Sequence, residues 1–297
     1  MTIAITGATS MLGVATIRQC TQKNLLVLAF VRRGSANMNR LPQSPHVSVI
    51  ECDLDQMADF DASGFSADVF IHFGWAFTDK SGRNDVEKQL QNVRFTIDAV
   101  HLAQRLGCRK FVGAGSQAEY GIPNVTLKPD TPVNPVVPYG VAKYAAGKLA
   151  GMECRKLEIA FIWVRILSVY GKNDGEGSML KQLLRNAANN VPMGLSGCEQ
   201  VWDYLHEDDA GRAFVSIAER GVDSRVYNLG SGVGCPLKEY VLQAVETVNP
   251  DYQPEFGKFP YNPTQPMHLV ADISDLTADT GWKPEQKFTD AIGQIRL

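Results

Sequence analysis

The chain has 297 residues, 44% of them hydrophobic and 21% charged, with a formal net charge of −3. That length suits one large or two unequal domains with ample core, and the composition is that of a soluble globular protein. A weakly acidic balance gives no reason to expect nucleic acid or an anionic membrane as a partner. No apolar run is long enough for a membrane span and no targeting segment is apparent, so a cytoplasmic location is expected. The six cysteines, at 20, 52, 108, 154, 198 and 235, contain no C-x-x-C pair, so neither a disulfide framework nor a metal site is expected.

Residues 2–6 are a short β-branched, apolar run that predicts a buried strand, broken at Gly7-Ala8-Thr9-Ser10. Residues 11–20 then carry apolar side chains at helical spacing. A strand, a turn of small residues and a helix make a place for a dinucleotide pyrophosphate, because unpaired N–H groups and the helix dipole both favour phosphate there. Gly7 permits the tight turn and Gly13 the close approach of helix to sheet, with Thr9, Ser10, Met11 and Leu12 between them as further cofactor contacts. Position 10 departs from Gly-x-x-Gly-x-x-Gly spacing, but Ser stays small and adds a hydroxyl for a phosphate oxygen.

A second strand over 25–31 ends at Val31, followed by Arg32 and Arg33. An acid at this tip bonds the ribose 2′-hydroxyl of NAD, whereas an arginine accommodates the 2′-phosphate of NADP. The two arginines therefore point to NADP, the alternative being a pair of solvated surface side chains. A third strand over 47–52 delivers Asp53, placed to meet the adenine amino group, and Leu54. A fourth over 68–73 ends in Phe73-Gly74-Trp75, where glycine lets the backbone near the ribose and nicotinamide, and Trp75 can also face substrate. The helix over 86–106 has apolar stripes at 86, 90, 93, 97 and 100 and at 95, 99, 102 and 106. Such a helix is either well buried or part of a subunit interface.

A fifth strand over 109–114 leads into Gly115-Ser116-Gln117-Ala118-Glu119-Tyr120-Gly121, a proline-rich loop, and a helix opened by Tyr139-Gly140-Val141-Ala142-Lys143. Tyr139 and Lys143, four apart, project from one helix face. A phenol has a pKa of about 10 in water, and a nearby ammonium favours its phenolate. Tyr139 can then exchange a proton with a carbonyl/alcohol pair while Ser116, at the strand end, donates to the same oxygen. A sixth strand over 159–167 ends in Ser168-Val169-Tyr170-Gly171. This strand–helix alternation predicts an α/β fold with a doubly wound parallel sheet of Rossmann type. The expected division is a dinucleotide-binding domain over 1–171, with 222–230 returning to its sheet, and a smaller mixed substrate lobe over 172–297. That lobe includes a short run at 200–205 and helices over 179–189 and 208–220.

Taken together these motifs resemble the extended short-chain dehydrogenase/reductase family of nucleotide-sugar epimerases, dehydratases and reductases, over essentially the whole chain. The resemblance is carried by the turn from Thr6 to Gly13, Asp53-Leu54, Asn92 with Thr96, Ser116 with Tyr120-Gly121, and Tyr139-x-x-x-Lys143. Arg165 to Gly171, Trp202-Asp203-Tyr204-Leu205-His206-x-x-Asp209 and Gly281-Trp282-Lys283-Pro284 match its later landmarks. It implies a homodimer, a nucleotide-sugar substrate, Lys143 on the cofactor ribose, and Asn92 and Arg165 on the cofactor side. It also implies Gln117, Glu119, Ser168 and Trp202 on the substrate side. Glu119 is equally readable as a strand-end carboxylate held by backbone. Trp202 stands where relatives carry a phosphate-binding arginine, and either stacks on a base or sugar or belongs to the core.

Departures from the family pattern bear on the reaction. Sugar 4,6-dehydratases carry an Asp-Glu pair where Gln117-Ala118 stands, and the 3,5-epimerase/reductases a cysteine where Ala118 stands. What remains is 4-epimerisation or reduction of a 4-keto sugar, and Arg32-Arg33 favours an NADPH-dependent 4-keto-6-deoxyhexose reductase of the abequose- or fucose-forming kind. An NAD(P)-dependent 4-epimerase is the alternative. A non-catalytic NADP-binding sensor is disfavoured by the presence of Ser116, Tyr139 and Lys143, and a small-ketone reductase by the proline-rich second lobe.

Overall fold

The computed structural model describes residues 1–295, so the last two positions of the expected second lobe lie outside the described residues. The first half runs β1 (Thr2–Thr6), α1 (Met11–Gln22), β2 (Leu26–Val31), β3 (Val47–Glu51), β4 (Val69–His72), α2 (Val86–Arg105), β5 (Lys110–Ser116), α3 (Pro138–Lys156) and β6 (Ala160–Ile166). The second half runs β7 (Ser168–Tyr170), α4 (Met179–Ala188), β8 (Val201–Trp202), β9 (Tyr204–His206), α5 (Glu207–Arg220) and β10 (Val226–Leu229). It finishes with β11 (Cys235–Pro236), α6 (Leu237–Val248), β12 (His268–Leu269), α7 (Ser274–Thr280) and α8 (Phe288–Ile292).

Seven strands make one parallel sheet in the order β10-β6-β5-β4-β1-β2-β3. The chain leaves β1 toward β3 and returns to β4 on the other side, so the order reverses at β1/β4, where such sheets open a ligand crevice. The central strands read as unbroken apolar runs because both faces are covered. Side chains alternate across them: Ile3 and Ile5 join Ile17 and Phe214 on the α1/α5 face. Ala4 joins Phe70, Phe111 and Val100 on the α2/α3 face.

The second half of the chain contributes more to this unit than the expected return over 222–230. β10 extends the sheet beside β6, and α5 lies against α1. Their closest approach is at Gly211, where an added Cβ would sit 2.6 Å from the Ala15 backbone. Phe214 of α5 meets Phe73 edge-on, with ring centres 4.6 Å apart. The seven-stranded sheet is therefore covered by α5 as well as α1, and β7 with Tyr170 joins the other lobe rather than this sheet.

The remaining lobe buries Leu183, Leu184, Val241 and Ile292 of α4, α6 and α8 around Tyr170. The run at 200–205 is divided between two small sheets, β8 with β11 and β12, and β9 with β7. Asp203 is the break. Its buried carboxylate accepts the backbone N–H groups of Ser231, Gly232 and Ala271, and so ties three loops together. Among the described residues no helix is long and apolar enough to cross a membrane.

Candidate active site

A cleft of about 430 Å³ opens at the C-terminal ends of β1, β2 and β4. Its turn is built for close approach. Gly7 has φ +64°, and a Cβ there would press to 2.9 Å on the Gly74 nitrogen, while one at Gly13 would enter the backbone of Gly7 and Ala8. Both glycines let the turn, the helix and the exit of β4 pack backbone against backbone, where a side chain would collide. Thr9 and Ser10 line the cleft. The Ser10 hydroxyl accepts the Gly13 N–H at 3.1 Å as the N-cap of α1, which leaves its proton available to a phosphate oxygen. Met11 and Leu12 stand at the helix N-terminus, where backbone N–H groups lack helical partners.

The far end of the cleft separates the two arginines. Arg32 lines it, together with Ser35 and Asn37, and the Ser35 hydroxyl lies 3.2 Å from that of Thr9. Arg33 is a solvated side chain, 73% exposed and 3.9 Å from Glu51. Its expected cofactor contact is not made by the same wall. Ser35 and Asn37 were not foreseen; the polar run directly after the arginines is the signal for them. Asp53 and Leu54 line the cleft as expected, with one Asp53 oxygen accepting the Arg33 N–H at 2.8 Å. Gln91 and Phe95 of α2 complete the wall, also unforeseen.

Three residues expected at the cofactor are placed elsewhere. Phe73 points into the core against Phe214. Asn92 is buried and clasps the segment after β4, accepting the Ala76 N–H at 2.7 Å and donating to the Ala76 carbonyl at 3.0 Å. Arg165 is buried in an ion pair with Glu119 at 2.8 Å and lies over the Tyr120 ring. Glu119, expected beside substrate, is fully enclosed. Its other oxygen accepts the Ser116 N–H and the Trp163 indole N–H, each at 2.9 Å. Its carboxylate is thus spent holding the turn that carries Ser116, because a buried charge must be paired and hydrogen-bonded.

The catalytic candidates do come together. Ser116 ends β5, and its hydroxyl stands beside the Tyr139 phenol. Tyr139 and Lys143 open α3, with the Lys143 ammonium 5.9 Å from the Tyr139 ring centre. Trp75 closes the group: its ring meets Tyr139 edge-on at 6.0 Å and lies 3.6 Å from the Lys143 ammonium. The Trp75 indole N–H donates to Gln89. An unforeseen cation, Arg83, lies over the face of Tyr139 at 4.1 Å. Gln117 follows Ser116 on a short 3-10 turn, half-buried. Ser168 starts β7, half-buried and outside the residues that line the cleft, and Trp202 packs between the second-lobe core and the cluster around Tyr120.

Burial sets the electrostatics. It raises the Tyr139 phenol, opposed by the Arg83 charge and by the neighbouring Ser116 hydroxyl. It pulls Lys143 down to about 7, with Glu119 partly offsetting and Arg83 reinforcing the fall. Lys143 nonetheless keeps a hydrogen bond to the Ala114 carbonyl at 2.7 Å.

The Lys143 shift has a thermodynamic consequence. Between about pH 7 and the ordinary lysine value of 10.5, the unfolded chain binds a proton that the native protein does not, so this group makes stability rise with pH. Below pH 7 both states are protonated and the burial penalty is complete. The stability of Lys143→Met relative to the native protein is therefore expected to be greatest below pH 7 and to fall as pH rises from about 7 toward 10.5. Urea unfolding at several pH values measures this, and a difference independent of pH would contradict it.

Comparison with known proteins identifies the family and the fold. The profile of the NAD dependent epimerase/dehydratase family matches residues 3–230. The chain is 23% identical over 236 residues to the dTDP-4-dehydro-6-deoxyglucose reductase of Escherichia coli, covering 76% of this chain and 72% of that protein. It is 27% identical over 165 residues to the CDP-abequose synthase of Salmonella typhimurium, covering 53% and 54%. The fold superimposes on UDP-glucose 4-epimerase from Thermotoga maritima with a TM-score of 0.87, at 19% identity, across 99% of this chain and 97% of that one. The chain thus belongs to the NAD dependent epimerase/dehydratase family, the extended short-chain dehydrogenase/reductases, and is an enzyme of that oxidoreductase and epimerase group.

Proposed function

We propose that this protein uses NADPH to reduce a nucleotide-linked 4-keto-6-deoxy sugar to the corresponding 4-hydroxy sugar. Arg32 carries this reading: it lines the cleft past β2 together with Ser35 and Thr9, and a guanidinium with hydroxyls there is the chemistry that accepts a 2′-phosphate. A reductase exchanges its cofactor at every turnover, whereas a 4-epimerase retains it. Gln117 and Ala118, beside Ser116, provide no acid, base or thiol for eliminating water or for epimerising a neighbouring carbon. The relatives named for dTDP-4-dehydro-6-deoxyglucose reduction and for CDP-abequose synthesis support the substrate class. The six free cysteines suit a reducing, cytoplasmic compartment.

The turn at Gly7, the start of α1, Arg32 and Lys143 would hold the cofactor, which when bound supplies the hydride for C4. Tyr139 gives its phenolic proton to the C4 oxygen as negative charge develops there. Ser116 donates a hydrogen bond to that oxygen, and the Glu119 carboxylate fixes the backbone of Ser116 so that this donor is in place beforehand. Charge appears on the oxygen only in the transition state, so these donors act on turnover more than on binding. Tyr139→Phe is expected to lower turnover by about two to four orders of magnitude, with NADPH binding retained in fluorescence titration. Incubating the protein with a 4-keto-6-deoxyhexose nucleotide, with and without NADPH, tests the reaction itself. If no NADPH is consumed while a fully hydroxylated hexose nucleotide is epimerised, the reductase reading is wrong.

The cofactor preference has its own test. Arg32→Ala is expected to weaken NADPH relative to NADH by about 1–3 kcal/mol, the range of charge-assisted hydrogen bonds. Arg33→Ala should leave the preference as it is, since that side chain faces solvent. Equal affinities of the native protein for the two cofactors would refute the assignment.

We further propose a homodimer through α2 and α3. Val86 and Leu90 on α2 are 57% and 55% exposed and Val141 on α3 is 50% exposed, flanking a hollow lined also by Val93, Val136 and Ala145. An apolar patch of this kind on paired helices suits a two-fold four-helix contact. Light scattering at micromolar concentration should give about twice the 32.6 kDa of one chain; Leu90→Glu should lower it to the monomer.

A further inference from the structure

The cation expected to act on Tyr139 is Lys143, but its ammonium is committed elsewhere. It donates to the Ala114 carbonyl and lies over Trp75, and burial brings it to about 7, so at neutral pH it carries only part of a charge. Arg83 is differently placed. It belongs to the 3-10 turn Gly82–Asn84 between β4 and α2, and its guanidinium carbon lies 4.1 Å from the Tyr139 ring centre. A guanidinium keeps its charge throughout the physiological range and favours a flat aromatic face.

The turn that carries it is built rather than loose. The buried Gln89 side chain donates to the carbonyls of Phe77 and Gly82, and Asp79 accepts the N–H groups of Ser81 and Gly82. These contacts also occupy the Asp79 carboxylate. Asp85 caps α2 and pairs with Lys88. Among the described residues no carboxylate forms an ion pair with Arg83, so its charge is directed to the ring it covers.

We propose that Arg83 is a positioning residue that holds the Tyr139 ring and stabilises its phenolate, poising it for proton transfer. This deepens the reading of Tyr139 as proton donor and rests on it. The groups facing Tyr139 are Arg83 from the turn, Lys143 from its own helix, the Ser116 hydroxyl from the end of β5 and the Trp75 ring from the exit of β4. Glu119 lies behind Ser116 and opposes the phenolate, but its charge is offset by Arg165. When Tyr139 has given up its proton, the charge left on it faces a cation that cannot itself deprotonate.

The ionisation of Tyr139 is measurable without substrate. Protein labelled with 3-fluorotyrosine, whose phenol is more acidic than tyrosine's, is titrated by ¹⁹F NMR, with Tyr139→Phe identifying the signal. In Arg83→Met the midpoint is expected about half to one pH unit above the native protein's, the shift that a cation–π contact of this kind supplies. Arg83→Lys should restore most of the difference, which a merely structural effect on the exposed turn would not do. A midpoint in Arg83→Met equal to the native one, or a native signal that stays protonated through the same range as the variant's, overturns the proposal. Because the titration reads the free protein, it stands apart from any failure to find NADPH-dependent reduction.

Discussion

A single buried carboxylate organises the reactive end of this molecule. Glu119 lies wholly inside the protein and receives three donors from two strands: the backbone of Ser116 on β5, and Trp163 and Arg165 on β6. An ion taken out of water costs several kcal/mol unless its hydrogen bonds are complete, and removing one partner of such a pair commonly costs about 3–5 kcal/mol. The turn after β5 therefore has little freedom, and Ser116 is presented to Tyr139 from a fixed base. Small residues follow from the same constraint. A Cβ at Gly115 would collide with Trp163 and Glu119, and one at Gly147 of α3 would press on Trp163 at 2.7 Å. The carboxylate, the indole and the glycines form one packed unit that brings α3, and with it Tyr139, against the end of β5.

Much of this was legible in the sequence because the signals were local or periodic. Strands 1 to 6, the turn at Gly7, the long second helix and the meeting of Ser116, Tyr139 and Lys143 all follow from spacing along the chain. What was not legible depended on the direction of a side chain that only a distant partner fixes. Arg32 and Arg33 are neighbours, yet one lines the cleft and the other meets solvent, since successive side chains near the end of a strand leave on opposite sides. Glu119, Arg165 and Asn92 carry the polar groups a ligand would want, but each finds its partner within the protein. Arg83 gave no signal at all, because its role arises from a turn folded over a ring 56 positions later in the chain.

The site also shows how burial and charge divide the work between two cations. Burial weakens the charge of Lys143 while aligning it with a carbonyl and an indole, whereas Arg83 stays charged at the rim. Near neutral pH a lysine of this kind can change protonation at little cost. Trp75 contributes by touching both, its ring edge-on to Tyr139 and its face under the Lys143 ammonium.

The crossing of α5 over α1 bears on how the chain reaches this state. The partner of Ala15 is Gly211, and the edge strand beside β6 follows later still. During synthesis roughly 200 residues must be added before α1 gains that cover, which at typical elongation rates takes on the order of ten to forty seconds. Through that interval the apolar face of the first strands and helix is exposed to solvent and to other nascent chains. The non-local contact that completes the nucleotide fold is therefore a late one. A fragment ending at the sixth strand would lack both its edge strand and one of its covering helices, so the ability to bind a dinucleotide is a property of the longer chain.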